Sequence, residues 1–220
     1  MKSPEAERKL NDIRSRKTPY CLVRGGLALT ITKDVYPTSE LSELLVDVMD
    51  DPRWGIQPGA TVLDYGTGTG FLAISAALRG ATVIATDISG AAVQCAALNA
   101  DAFGVRQAID LRVGAELAPI RAGERFDAIY AGLPWDDEPA ADMVERSLFD
   151  EGFAMRRALF RRGHELLRPG GHLVLSSVEG HREAYPEAYP PALNFTIAAS
   201  RKIYGLDHFA LVASFRKPDD

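Results

Sequence analysis

One segment constrains this chain more than any other: Val62-Leu63-Asp64-Tyr65-Gly66-Thr67-Gly68-Thr69-Gly70, running on into Phe71-Leu72-Ala73-Ile74. An apolar β-rich run, three alternating glycines and an apolar helical stretch read as strand, tight loop and helix. Glycines let the backbone pass close under a ligand, and the helix N-terminus offers free N–H groups. A plain strand-to-helix turn does not need three glycines and an acid. A dinucleotide fingerprint, G-x-G-x-x-G/A, requires Gly or Ala where Phe71 stands. Asp64 would repel a pyrophosphate but suits a ligand bearing an ammonium group. Asp87 ends the next β-rich run, ATVIATD, where a carboxylate accepts hydrogen bonds from both ribose hydroxyls. A ribose, a cationic amino-acid end and no phosphates describe S-adenosylmethionine (SAM).

The rest of the chain repeats the alternation. FLAISAALRG and SGAAVQCAALNADAFG read as helices, and AIDLRVGAE, ERFDAIYAGLPW and GHLVLSSVEG as further strands. Met155 to Arg168 reads as an amphipathic helix stopped by Pro169-Gly170-Gly171. Upstream, Leu41, Leu44, Leu45, Val48 and Met49 share one helical face, with Thr38 or Ser39 able to cap. Leu22–Thr32 is a Gly-interrupted hairpin candidate, and Ser3 to Lys17 a short polar helix capped by Ser3. Strands alternating with helices mean α/β with a mainly parallel sheet. The tail differs, because two β-patterned runs flank Gly205-Leu206-Asp207 with no helix between them. That is a hairpin, and it makes one late strand antiparallel.

At these residues the sequence resembles the class I SAM-dependent methyltransferases, from about Val35 to the C-terminal hairpin. The resemblance implies a Rossmann-like, seven-stranded, mostly parallel sheet with helices on both faces, preceded by a short helical extension. The chain then divides into an N-terminal helix and cap or lid segment, 1–37, and a SAM-binding catalytic domain, 38–220. The cofactor implied is SAM. Its residues would be Asp64 for the ammonium end, Gly66, Thr67, Gly68 and Gly70 for the methionine chain, and Asp87 for the ribose. Ile88 would pack on adenine, and Ala115 and Glu116 would border it. Gly132-Leu133-Pro134-Trp135 stands where amino-methylating members carry Asn/Asp-Pro-Pro-Tyr/Phe, and the segment before the SAM loop is similar to that of the HemK-like glutamine methyltransferases. Two departures matter: Gly132 offers no side chain to the acceptor, and Leu133 replaces the first proline. Gly132, Leu133, Pro134, Trp135 and Tyr36 are the expected acceptor-side residues.

Charge sets the expected substrate. The chain has 30 Asp+Glu against 25 Lys+Arg, a net −5 over 220 residues, too little positive charge to suggest nucleic acid. Between Pro134 and Gly152 lie seven acids and one base, Arg146, a net −6 beside the presumed reaction strand. The expectation is a small-molecule acceptor, amine-bearing or otherwise cationic, with nucleic acid and membrane disfavoured and the oligomeric state undetermined. The paired arginines at 156/157 and 161/162 are expected on the outer face of their helix, answering the acidic loop. Glu179, His181, Tyr185 and Tyr189 are the candidates for a general base. The two cysteines have no metal-ligand spacing, and no metal is expected. With no apolar run of ~18 residues and no secretory h-region, the expected location is the cytoplasm. Three rivals stay open: cyclisation of SAM itself to azetidine-2-carboxylate with release of methylthioadenosine, an NAD(P) oxidoreductase, and a non-catalytic binding module.

Overall fold

The computed structural model describes residues 4–134, 136–189, 193–203 and 205–215. Ser3, the expected cap of the first helix, and Trp135 lie outside the described residues. An N-terminal helix, α1 (Pro4–Ser15), is followed by a small antiparallel hairpin, β1 (Tyr20–Arg24) and β2 (Leu27–Ile31). Its two turn residues, Gly25 and Gly26, both have positive φ, the backbone that a two-residue hairpin turn demands. Then come α2 (Glu40–Met49), β3 (Thr61–Tyr65), α3 (Phe71–Leu78), β4 (Thr82–Asp87), α4 (Gly90–Ala102) and β5 (Ile109–Val113). β6 (Phe126–Ala131), α5 (Ala154–Leu166), β7 (Leu167–Val178), α6 (His181–Ala184), β8 (Leu193–Ile203) and β9 (Leu206–Phe215) complete the chain.

Among the described residues, seven strands form one sheet in the order β5-β4-β3-β6-β7-β9-β8. All neighbours are parallel except around β9, which runs antiparallel to both β7 and β8. From β3 the chain moves outward through β4 and β5, then returns to place β6 and β7 on the other side. The sheet therefore has its switch point between β3 and β6, where open α/β sheets bind their ligands.

Alternation along each strand divides the core between two faces. Val62, Val83, Ala128, Tyr130 and Val174 pack against α2, α3 and β2, with Ala100 of α4. Their neighbours Leu63, Ile84, Ile129, Leu173 and Leu175 pack against Leu159, Phe160 and Leu166 of α5. Helices thus cover both faces. α3 is buried from Phe71 through Ala77, which is why its sequence shows no polar stripe.

Two local expectations are corrected. α5 ends at Leu166, and Pro169-Gly170-Gly171 lies inside β7 as an irregular start to the strand. A Cβ on Gly171 would stand 2.9–3.1 Å from three backbone carbonyls, so the strand passes too close to β6 for any side chain. Arg156, expected on an outer face, is fully buried. Its Nη1 donates to the Tyr189 hydroxyl at 3.3 Å, and its guanidinium lies 5.2 Å from that ring's centroid.

Candidate active site

β3 delivers Asp64 and the glycine loop to the switch point. Asp64 is 1% exposed, and its Oδ2 accepts from Thr67 Oγ1 at 2.7 Å and from the Ala73 amide at 3.0 Å. The carboxylate therefore staples the loop to the first turn of α3. It lies beneath the loop and is not among the residues that line the cavity, whereas the sequence led us to expect it at the ammonium end of a ligand. Burial lifts its carboxyl to about 7, against hydrogen bonds from Thr67 and Ala73 that pull the other way. Its second oxygen, Oδ1, has no hydrogen-bond partner among the described residues.

The loop's remaining polar groups bind across to β4. The Gly66 and Thr67 amides both donate to the Thr86 carbonyl at 2.9 Å. Asp87 accepts from the Gly68 amide through Oδ2 and from the Ser89 amide through Oδ1, each at 2.9 Å. Burial raises the Asp87 carboxyl, opposed by these backbone N–H groups. Gly70 has φ +83°, and a Cβ there would meet Ala96 Cα at 3.0 Å. The third glycine is thus a contact between α3 and α4, and it does not line the cavity.

A cavity of about 780 Å³ opens at the carboxyl ends of β3, β4 and β6. Of the residues expected at the cofactor, Gly66, Thr67, Gly68, Asp87, Ile88, Ala115 and Glu116 line it. Of those expected at the acceptor, Tyr36, Gly132, Leu133 and Pro134 line it as well. Leu133 is 2% exposed and packs in the core around Leu63 and Phe153, so the departure from proline is absorbed by packing. Gly132 is exposed on the wall.

The general-base candidates fall elsewhere. The Tyr189 hydroxyl lies 2.9 Å from His181 Nδ1 and 2.9 Å from Ser177 Oγ, and receives Arg156 Nη1. Tyr185 stacks edge-on against Phe153 at 4.9 Å, and Glu179 Oε2 accepts from the Asp207 amide. None of these four side chains lines the cavity.

The acidic stretch is not a bare solvated loop. Asp142 and Glu145 bind Arg14 of α1 at 2.6 and 3.2 Å, and Glu145 is buried. Asp137 accepts from the Gly152 amide, while Asp150 accepts from the Met155 and Arg156 amides at the start of α5. Ala6 and Leu10 of α1 pack on Val144 and Phe149. α1 and the 140–149 segment therefore roof one side of the cavity together; Arg14 answers Asp142 and Glu145, and Arg156 of α5 stands electrostatically against Asp150. Lys9, Arg16, Arg24 and Arg146 also line the cavity, so the wall carries both signs.

Two residues whose roles here the sequence did not show hold this frame. Asn99 of α4 donates to the carbonyls of Thr30 and Thr69 and accepts from the Thr30 amide, tying β2 to the glycine loop. Thr38 hydrogen-bonds through Oγ1 to Thr69 Oγ1 and so ties the segment before α2 to the same loop. A buried Asn on an otherwise apolar helix face was the available signal for the first; the second had none.

Comparison with known proteins fits this geometry. The family described as ribosomal protein L11 methyltransferase (PrmA) matches residues 36–133. A release factor glutamine methyltransferase of Cereibacter sphaeroides is 40% identical over 132 residues, covering 54% of this chain and 47% of its own. A putative protein N5-glutamine methyltransferase of Methanocaldococcus jannaschii is 29% identical, covering 81% of this chain and 90% of its own. Together these matches support the class I SAM-dependent methyltransferase superfamily for this chain. The cofactor they support is the SAM expected from the glycine loop and Asp87. In fold, the chain matches a T. thermophilus 16S rRNA methyltransferase solved with AdoMet and guanosine. The TM-score is 0.65 and the identity 21%, covering 90% of this chain and 50% of that one. The chain spans about half the length of the release factor methyltransferases it matches.

These relatives overturn one expectation. Their names specify protein and ribosomal substrates, against a small-molecule partner and against dismissing nucleic acid. The charge argument failed because four of the seven acids it counted, Asp137, Asp142, Glu145 and Asp150, are bound to backbone amides or to Arg14. Neither do the relatives named here support cyclisation of SAM. Among the described residues, no helix is long and apolar enough to cross a membrane, and no His/Cys/Asp/Glu group could hold a metal ion.

Proposed function

We propose that this chain transfers the methyl group of SAM to a protein side chain. The observation that carries the reading is the cavity itself: a side-chain-free glycine cradle and a carboxylate on one side, and the residues that follow β6 on the other. Gly66 and Gly68 line it with positive φ, and Cβ atoms there would meet no atom closer than 3.8 Å, so the glycines leave open space for a ligand. The residues present fit the donor. Asp87 would hold the ribose hydroxyls, Ile88 and Ala115 would flank the adenine, and Gly66 to Gly68 would run under the methionine chain. Asp64 would act one layer below, keeping that loop in shape.

SAM, when bound, supplies a methyl on a sulfonium that is already an activated leaving group. The protein's contribution is then positioning and exclusion of water. α1 and the 140–149 segment would exclude water from above. Tyr36 and Gly132 to Pro134 would shape the approach of the acceptor. The protein glutamine relatives support a protein acceptor.

The test is transfer from methyl-labelled SAM by the purified chain, with and without cell extract. Label that appears in protein and disappears on protease treatment supports the reading. Label removed by ribonuclease moves the acceptor to RNA. Methylthioadenosine formed from SAM alone, with no label transferred, replaces the reading with self-cyclisation.

A further inference from the structure

We propose that the hydroxyl of Ser42, on α2, holds the acceptor group that the side-chain-less residue 132 leaves unheld. The inference rests on reading the cavity as a methyl-transfer site, and adds to it the residue that aligns the nucleophile. Gly132 is the first residue beyond β6, at the switch point, exposed on the cavity wall. Its backbone is outside the left-handed region, and a Cβ there would meet nothing nearer than 3.9 Å. Neither conformation nor crowding therefore demands glycine. What the glycine does is leave a gap, and the atom that faces the gap is Ser42 Oγ, at 3.9 Å from the absent Cβ.

Ser42 lines the same cavity, and its hydroxyl makes no hydrogen bond with any described residue. Its carrier is rigid. Leu44, Leu45, Val48 and Met49 bury the inner face of α2, and Arg201 of β8 binds Glu43 and Asp47 at 2.8 and 3.0 Å. The bond between Thr38 and Thr69 fixes the start of the helix against the glycine loop. A hydroxyl held on a rigid element is a preorganised partner. By accepting an N–H from the incoming group, it would orient that group's lone pair without withdrawing a charge from it.

The probe is sinefungin, a SAM analogue with a primary amine where the sulfonium methyl would be, set against S-adenosylhomocysteine, which has nothing there. Calorimetry on the full chain should show Ser42→Ala binding sinefungin about tenfold more weakly, with S-adenosylhomocysteine unchanged. Ser42→Ala combined with Gly132→Ser, which returns a hydroxyl from the opposite wall, should recover most of the loss. Equal weakening for both ligands would make Ser42 merely structural and overturn the proposal. So would unchanged sinefungin binding in Ser42→Ala. A wild-type chain that binds neither ligand would overturn the transfer-site reading and this proposal with it.

Discussion

The loops after β3 and β6 leave neighbouring parallel strands at the same edge of the sheet, yet they are built in opposite ways. After β3, the polar groups are bound inward: Asp64 to Thr67 and Ala73, Gly66 and Thr67 to Thr86, Gly68 to Asp87. Its glycines are required, since Gly66, Gly68 and Gly70 all have positive φ. After β6, Gly132 has no such requirement, Leu133 turns into the core, and α2 supplies the nearest polar atom. A loop that must receive one constant ligand can be finished in itself. A loop that meets a variable acceptor can leave its chemistry to another element.

The largest expected effect tests how complete the first loop is. Asp64 titrates near 7 in the fold against an ordinary value of 3.8, because burial disfavours its charge. The folded chain thus binds the proton more tightly than the unfolded chain, so stability falls as pH rises from about 4 to about 7 and then levels. Asp64→Asn keeps an acceptor for Thr67 and Ala73 without the charge. Thermal melts from pH 4 to 8 should show the variant pulling ahead, by up to about 4 kcal/mol at pH 8. Parallel curves would mean that a cation compensates the carboxylate.

Next is Asp87→Ala, which removes both the cavity-facing carboxylate and the anchor of the Gly68 amide. Calorimetry with S-adenosylhomocysteine should show affinity about a hundredfold weaker, the loss of two charge-assisted hydrogen bonds. The smaller pair compares the loops directly. Gly70→Ala, with φ +83° and a 3.0 Å approach to Ala96, should lower unfolding free energy by about 2 kcal/mol in denaturant titration. Gly132→Ala should change it by less than about 0.5 kcal/mol. A Gly132→Ala variant as unstable as Gly70→Ala would erase the contrast.

The same division decided what the sequence could reveal. The β3 loop was legible because its constraints are local: positive φ forces glycine, and strand and helix periods flank it on either side. The C-terminal hairpin was legible for a similar reason, since two β-patterned runs met at Gly205 with no room for a helix. The path of Asp64 was not legible. Two residues before the first glycine, it could face the ligand or the helix beneath, and only the closure of the loop onto Ala73 decides. The acidic stretch misled because net charge does not say which acids have partners. Arg14, more than a hundred residues away, takes two of them, and the start of α5 takes Asp150. Arg156 misled because it is paired in sequence with Arg157, which is exposed, whereas its partner Tyr189 lies on a distant loop. Ser42 carried no pattern at all; it acquires meaning only from what is missing at residue 132.

The place of β9 between β7 and β8 has a consequence for synthesis. β8 emerges from the ribosome first, but its pairing in the sheet is with β9, and β7 likewise pairs with β9 on that side. Until residues 206–215 have been made, the sheet built from β3 to β7 shows an open row of N–H and C=O groups along β7. Such an edge recruits other chains. A chain stopped before Leu206 would keep its glycine loop and most of its cavity, yet would be prone to aggregate, because the strand that closes the sheet is the last to arrive.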